Sequence, residues 1–203
     1  MTGTVLKPQL WTERPVEETL AVYTDWAAQY DADVEARGYH TPARVAEMLA
    51  RHIGGTGPIL DFGCGTGLSG VALRALGLEP VHGTDITPAM VDIAEPKGIY
   101  EKLWVSEPGV LDVPAGLYRA IIATGVVSLG AAPAETMDLL FDALGPGGLL
   151  AMSFNDPTLA HGGYDAHLQS HIDAGTVRVL ERAHGPHLDD VPMGSDVMVI
   201  AKA

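Results

Sequence analysis

The 203-residue chain has a single cysteine, Cys64, so no disulfide can form within it. One thiol also gives no sign of an oxidising compartment. No apolar run approaches the ~20 residues that a membrane-spanning helix needs. The opening stretch, residues 1–20, carries Glu13, Glu17 and Glu18 and has no apolar centre, so it does not read as a secretory signal. The expected location is cytoplasmic, with no membrane partner. Basic residues are scarce: 12 lysines and arginines face 26 aspartates and glutamates, a net charge of −14. A surface of that sign repels phosphate backbones, and no lysine–arginine cluster offsets it, so no nucleic acid partner is expected. A neutral or cationic small molecule is easier to accommodate. No internal repeat or low-complexity segment divides the chain. Its length fits one domain with a sizeable core, and a homodimer is allowed by the sequence.

What is present is concentrated in one stretch, Ile59-Leu60-Asp61-Phe62-Gly63-Cys64-Gly65-Thr66-Gly67-Leu68-Ser69-Gly70. A short apolar run ends at an aspartate, three glycines alternate with small residues, and an amphipathic run to Leu76 follows. This pattern predicts strand, tight turn and helix. The glycines permit positive φ and keep Cβ atoms away from a ligand. The unpaired N–H groups of the following helix favour a carboxylate or phosphate. Gly65-x-Gly67-x-x-Gly70, with Asp85 twenty residues beyond Gly65, also satisfies the dinucleotide fingerprint, so an NAD(P)-dependent oxidoreductase is one reading.

The fuller string, an acidic residue followed by Gly-x-Gly-x-Gly, resembles the first motif of the class I S-adenosylmethionine-dependent methyltransferases. Val81-His82-Gly83-Thr84-Asp85, followed by Ile86-Thr87-Pro88-Ala89-Met90, is similar to that class's second strand and its aspartate-hydrophobic-Ser/Thr-x-x-Met pattern. The resemblance implies S-adenosyl-L-methionine as cofactor. It implies that the turn Gly63, Cys64, Gly65, Thr66 and Gly67 passes its methionine part. It places Asp61 near the ammonium group, Asp85 on the ribose hydroxyls, and Ile86 and Met90 beside them. The class usually has Gly-Asp after its third strand, where a carboxylate meets adenine. Here that text is Ser106-Glu107, so Glu107 is the candidate and Asp112 the alternative. Thr124 ends the fourth strand, where the class places substrate or catalytic residues. Arg119 stands where an aspartate is usual, which is expected to loosen that corner. No Asn/Asp-Pro-Pro-aromatic string supports methylation of a base nitrogen. A third reading is a cofactor-binding regulator without catalysis.

Along the chain, residues 1–15 are polar, with prolines at 8 and 15, and are expected to be loosely ordered. Apolar and aromatic residues at 16, 20, 23, 27 and 30 predict a helix, and a second is expected over 42–52 with Thr41 as its N-cap. The string Tyr23-x-x-Trp26-Ala27-x-x-Tyr30-Asp31-x-x-Val34 resembles the opening of the Williams–Beuren syndrome region methyltransferase-like proteins. That resemblance extends to about residue 155 and weakens beyond it. It implies a helical lid, residues 1–55, over a Rossmann-like core, residues 56–203, in a single domain of the α/β class. Five parallel strands are expected, then an antiparallel pair, Thr176–Ala183 and Asp196–Lys202, completing a seven-stranded sheet flanked by helices. Tyr30 is the lid residue expected to reach the cofactor or substrate.

Methyl transfer from a sulfonium gains rate chiefly from positioning and exclusion of water. An acceptor that must lose a proton also needs a base in reach. No such base can be assigned from the sequence. Tyr30, Asn155 and His161 fall in segments expected to border the acceptor pocket. His167 and His171 lie four apart on a predicted helix, with His161 and Asp165 nearby, but spacing fixes no further ligand, and no metal is expected. Cys64 reads as a small turn residue with no activating partner.

Overall fold

The computed structural model describes residues 8–203. Residues 1–7, part of the segment expected to be loosely ordered, lie outside the described range. The remainder of that segment is held: Pro8–Trp11 form a 3-10 helix. The Arg14 guanidinium donates to the carbonyls of Leu10 and Gly130.

Two helices come first, α1 over Val16–Glu35 and α2 over Thr41–His52. Then follow β1 (Ile59–Phe62), α3 (Leu68–Ala75), β2 (Val81–Asp85), α4 (Pro88–Ala94), β3 (Lys102–Val105) and β4 (Ala120–Ala123). The chain closes with α5 (Thr136–Ala143), β5 (Leu149–Asn155), α6 (Asp156–His161), α7 (Gly163–Asp173), β6 (Val177–Leu188) and β7 (Met193–Lys202). The sheet order is β3-β2-β1-β4-β5-β7-β6. Strands β1 to β5 run parallel, and β7 lies antiparallel to both β5 and β6, as expected from the sequence. The order reverses between β1 and β4, which opens a crevice beyond the carboxyl ends of those strands.

The central strands are buried on both faces, which is why their residues are apolar without alternation. Leu60, Ile121, Leu150 and Met152 pack on the side of α5 and α7. Ile59, Ala120, Ile122 and Ala151 pack on the opposite side, against Val45, Met48 and Leu49 of α2 and Leu73 of α3.

Several boundaries move for identifiable reasons. Thr41 does not cap α2: it lies inside the helix, and its hydroxyl meets His187 Nδ1 at 2.8 Å and Ser195 Oγ at 3.1 Å. The strands β6 and β7 extend to Leu188 and Met193, longer than expected, and leave only a four-residue turn. The helix α6 was not expected; Asn155 caps it by accepting the Thr158 N–H at 3.0 Å. Arg119 does the reverse of loosening its corner. Its guanidinium donates to the Gly55 carbonyl at 2.6 Å and ties the α2–β1 connection to the start of β4.

Candidate cofactor and acceptor site

A cavity of about 620 Å³ opens at the reversal point of the sheet. That is within the range of roughly 300–1,000 Å³ typical of small-molecule sites. Its floor is the end of β1 and the glycine turn, with Phe62, Gly63 and Gly65. One wall is Asp85, Ile86, Thr87 and Met90, and another is Thr124, Gly125 and Val126. Its roof is the lid: Glu13 and Arg14, then Val16, Thr19, Tyr23 and Tyr30 of α1. Thr136 at the start of α5 and Tyr164 on α7 close the far side.

The three turn glycines are needed for different reasons. All have positive φ: 65° at Gly63, 52° at Gly65 and 97° at Gly67. A Cβ on Gly63 would lie 2.3 Å from Val126 Cγ2, and one on Gly67 would press on Ile99 and Tyr100. A Cβ on Gly65 would meet nothing within 4 Å. Gly65 alone of the three therefore leaves its space to the cavity. The turn is held from below, where Gly65 N–H donates to Asp85 Oδ2 at 2.8 Å and Thr87 N–H donates to Asp85 Oδ1 at 2.8 Å. Burial raises the Asp85 carboxyl, and the backbone N–H groups of Thr87 and Gly65 oppose that rise.

Asp61 lies beneath the turn and does not line the cavity. It is 1% exposed; the Tyr100 hydroxyl donates to its Oδ2 at 2.7 Å, and Oδ1 has no partner at full hydrogen-bond geometry among the described residues, the Gly70 N–H exerting only a weak lowering influence on the carboxyl. Burial pushes this carboxyl up to about 7. A buried carboxylate oxygen without a donor is costly, and a cationic group brought to the turn would relieve it. The Thr124 hydroxyl is a second buried, unpartnered polar atom, and Thr124 lines the cavity. These two orphaned atoms, the open face of Gly65 and the braced Asp85 fit a ligand carrying both an ammonium and hydroxyl groups.

Of the candidates named from the sequence, Tyr30, Gly63, Gly65, Asp85, Ile86, Met90 and Thr124 meet in this cavity. Cys64, Thr66 and Gly67 sit in the turn but face the protein. Cys64 is buried with its thiol against the Gly65 carbonyl at 3.7 Å, and burial pushes that thiol far up. Thr66 donates its hydroxyl hydrogen to Asp31 Oδ1 of the lid. Neither Glu107 nor Asp112 lines the cavity; both are exposed, while the neighbours Ser106, Pro108 and Gly109 do line it. Asn155 and His161, expected at the acceptor pocket, are not there. Asn155 serves as the α6 cap, and exposed His161 faces Glu13 at 3.4 Å. Sequence reasoning missed Arg14, Thr19, Tyr23 and Tyr164 as lining residues. Tyr23 could have been found, since it shares the helical face of Tyr30.

The lid is fastened at two places. Arg14 and the Thr19 hydroxyl hold the Gly130 carbonyl, at 2.6 Å for the Arg14 Nη2 contact. Gly130 permits this approach, because a Cβ there would lie 2.1 Å from the Leu10 carbonyl oxygen. Further along, Asp31 receives the Thr66 hydroxyl on one oxygen and the Lys97 ammonium on the other. Burial raises the hydroxyls of Tyr23, Tyr30 and Tyr164, so all three stay protonated near neutral pH.

A family model described as a methyltransferase domain matches residues 30–188. The chain is 33% identical over 141 residues to methyltransferase-like protein 27 of Homo sapiens, a match covering 67% of this chain and 57% of that protein. It is 36% identical over 99 residues to ribosomal protein L11 methyltransferase of Shewanella halifaxensis, covering 47% of this chain and 32% of that one. The matched segments thus span about half of one relative and a third of the other. Among solved structures, the [4+2]-cyclase SpnF superposes with a TM-score of 0.71 at 15% identity, covering 94% of this chain and 97% of that one. That likeness concerns the fold alone. The chain belongs to the methyltransferase-domain family, among the class I S-adenosylmethionine-dependent methyltransferases.

Proposed function

We propose that residues 1–203 act as one unit that binds S-adenosyl-L-methionine under the lid and transfers its methyl group to a small-molecule acceptor. The observation that carries this reading is the Gly65 turn. It is open to the cavity, braced by Asp85, and set beside two buried polar atoms that lack partners. When bound, the cofactor supplies an electrophilic methyl on a sulfonium. Asp85 would hold the ribose hydroxyls with the lone pairs its two backbone bonds leave free. Asp61 would face the ammonium, and the Thr124 hydroxyl would take a polar contact at the end of β4.

The rest of the chemistry falls to position and dryness. Tyr23, Tyr30 and Tyr164 remain protonated and orient an acceptor as hydrogen-bonding groups rather than as bases. Among the described residues no histidine lines the cavity. Asp85 is committed to the turn, and Glu13, the other lining acid, has a side chain 79% exposed. The lid therefore contributes mainly by holding the acceptor near the methyl and excluding water. The acceptor brings its own available lone pair. The size of the cavity and the charge of −14 support a small neutral or cationic molecule over a polyanion.

Calorimetric titration with S-adenosyl-L-methionine, its demethylated product and NAD tests the reading. Tight binding of the first two and none of NAD is the expected result. Binding of NAD alone would replace it with the oxidoreductase reading. Cofactor binding without turnover across a broad acceptor panel would favour the non-catalytic regulator, a live comparison because this fold also hosts a cyclase.

A further inference from the structure

We propose that Asp138, His167 and His171 form a site for a divalent transition metal of the zinc class, joining α5 to α7. The three side chains converge. Asp138 Oδ1 lies 2.8 Å from His167 Nε2 and 2.7 Å from His171 Nε2, and the candidate ligand atoms all fall within 4.8 Å of one another. The two histidines are one turn apart on α7, so their rings share a face, and the carboxylate comes from the neighbouring helix.

What points to a cation is the convergence of two imidazoles and a carboxylate on one place: His167 Nε2 and His171 Nε2 both face Asp138 Oδ1. The far side of the His171 ring is also provided for. The Thr176 hydroxyl lies 3.1 Å from Nδ1 and 3.1 Å from the His171 carbonyl oxygen, so with its hydrogen on the carbonyl its oxygen can accept Nδ1–H. An Nδ1–H held by an oxygen, with Nε2 on the metal, is the arrangement in which histidine ligands are usually oriented.

The geometry needs little change. Tetrahedral ligands at about 2.0–2.1 Å from zinc sit roughly 3.3 Å apart, about half an ångström beyond the separations from Asp138. The Asp138 side chain is 46% exposed and both histidine side chains are 23% exposed, so there is room for adjustment and for a water as fourth ligand. Two imidazoles and one carboxylate suit zinc, cobalt or nickel better than calcium or magnesium. The site is separate from the methyl-transfer cavity but stands directly behind its wall. Thr136 and Tyr164, which line the cavity, lie two and three residues before Asp138 and His167. A bound ion would fix those two helices against each other and so hold the wall in shape.

The test uses the full chain stripped with a chelator and then titrated with Co²⁺, read by its visible tetrahedral absorption, and with Zn²⁺, read by calorimetry and thermal unfolding. One equivalent is expected to bind and to raise the melting temperature. His167→Gln and His171→Gln should each abolish the cobalt band and the zinc-induced shift. Thr176→Val, which removes the hydroxyl beside Nδ1 together with its contact to the His171 carbonyl, should weaken binding roughly 10- to 100-fold. The proposal is overturned if wild type takes up no more Co²⁺ than His171→Gln does. It is equally overturned if ring ¹⁵N shifts with excess Zn²⁺ show both His171 nitrogens protonated, for then Asp138 and His171 form a plain ion pair.

Discussion

Asp85 Oδ2 accepts the backbone N–H of Gly65 at 2.8 Å, so the aspartate at the end of β2 holds the turn that follows β1, twenty residues earlier. Through its other oxygen the same carboxylate holds Thr87 N–H, the entry to α4. One side chain thus shapes two walls of the cavity. Replacing it removes both the ligand's partner and the brace beneath the turn. Asp85→Ala is expected to weaken cofactor binding by about 1.5–3 kcal/mol, roughly 10- to 100-fold. Asp85→Asn, which keeps one acceptor oxygen, should lose less. Calorimetry with the demethylated cofactor gives both values, and unchanged affinity in both variants would move the ribose site elsewhere.

Gly63 and Gly65 should separate stability from binding. A side chain at either strains a positive φ by about 1–2 kcal/mol. Gly63→Ala also drives its Cβ into Val126, 2.3 Å away, so its principal loss is in thermal stability. The Cβ of Gly65→Val meets no protein atom within 4 Å, so its principal loss is expected in cofactor affinity, roughly 5- to 100-fold. Melting curves beside binding isotherms distinguish the two. Equal destabilisation with equal affinity loss would contradict the division of labour.

The Asp61 carboxyl, held up near 7 by burial, makes stability depend on pH with a definite sign. In the unfolded chain an aspartate titrates near ~4. Between about pH 4 and 7 the folded state therefore keeps a proton that the unfolded state has lost. Stability contributed at this site falls as pH rises through that window and levels off above it, a loss on the order of a few kcal/mol. Asp61→Asn should flatten that slope in denaturant melts at several pH values. On the reading that Asp61 faces an ammonium, cofactor binding below pH 7 should release a proton and tighten as pH rises. Titrations in buffers of different ionisation enthalpy would reveal that proton.

The contacts of Asp31 with Thr66 and Lys97 pin the lid to the turn. The Asp31–Lys97 pair is partly exposed, so its stability contribution is about 1 kcal/mol or less. Asp31→Asn is expected to speed cofactor release a fewfold in stopped-flow experiments while leaving the melting temperature nearly unchanged. A chain beginning at Tyr39 retains every strand but lacks the roof formed by Tyr23 and Tyr30. It should lose turnover and much of its cofactor affinity; full activity there would refute the lid.

The sheet and its turn were legible because their signals are local. The doubly buried strands need apolar runs, and the turn needs glycine at three positive-φ positions. Those constraints appear within a few residues of one another. Asp85 was legible for the same reason, since its place follows from the end of a recognisable strand. Asn155 and His161 were misplaced because a residue's position after a strand does not say which way its side chain turns. Asn155 turned inward to cap α6, a helix that no strong periodicity announces.

The sequence by itself determined the order of the strands and of every helix but α6, the glycine turn, the acidic residue at the end of β2, and the acidic balance of the chain. Each of these rests on short-range sterics or on composition. Only the tertiary structure decided that Gly65 alone of the turn glycines leaves space for a ligand, because Val126 and Tyr100 occupy the space beside Gly63 and Gly67. It also decided that Asp31 reaches Thr66 and that Asp138 meets His167 and His171, pairs separated by 35, 29 and 33 residues. Such meetings depend on how whole helices pack across a sheet, and side chains that distant leave no spacing in the sequence to be read.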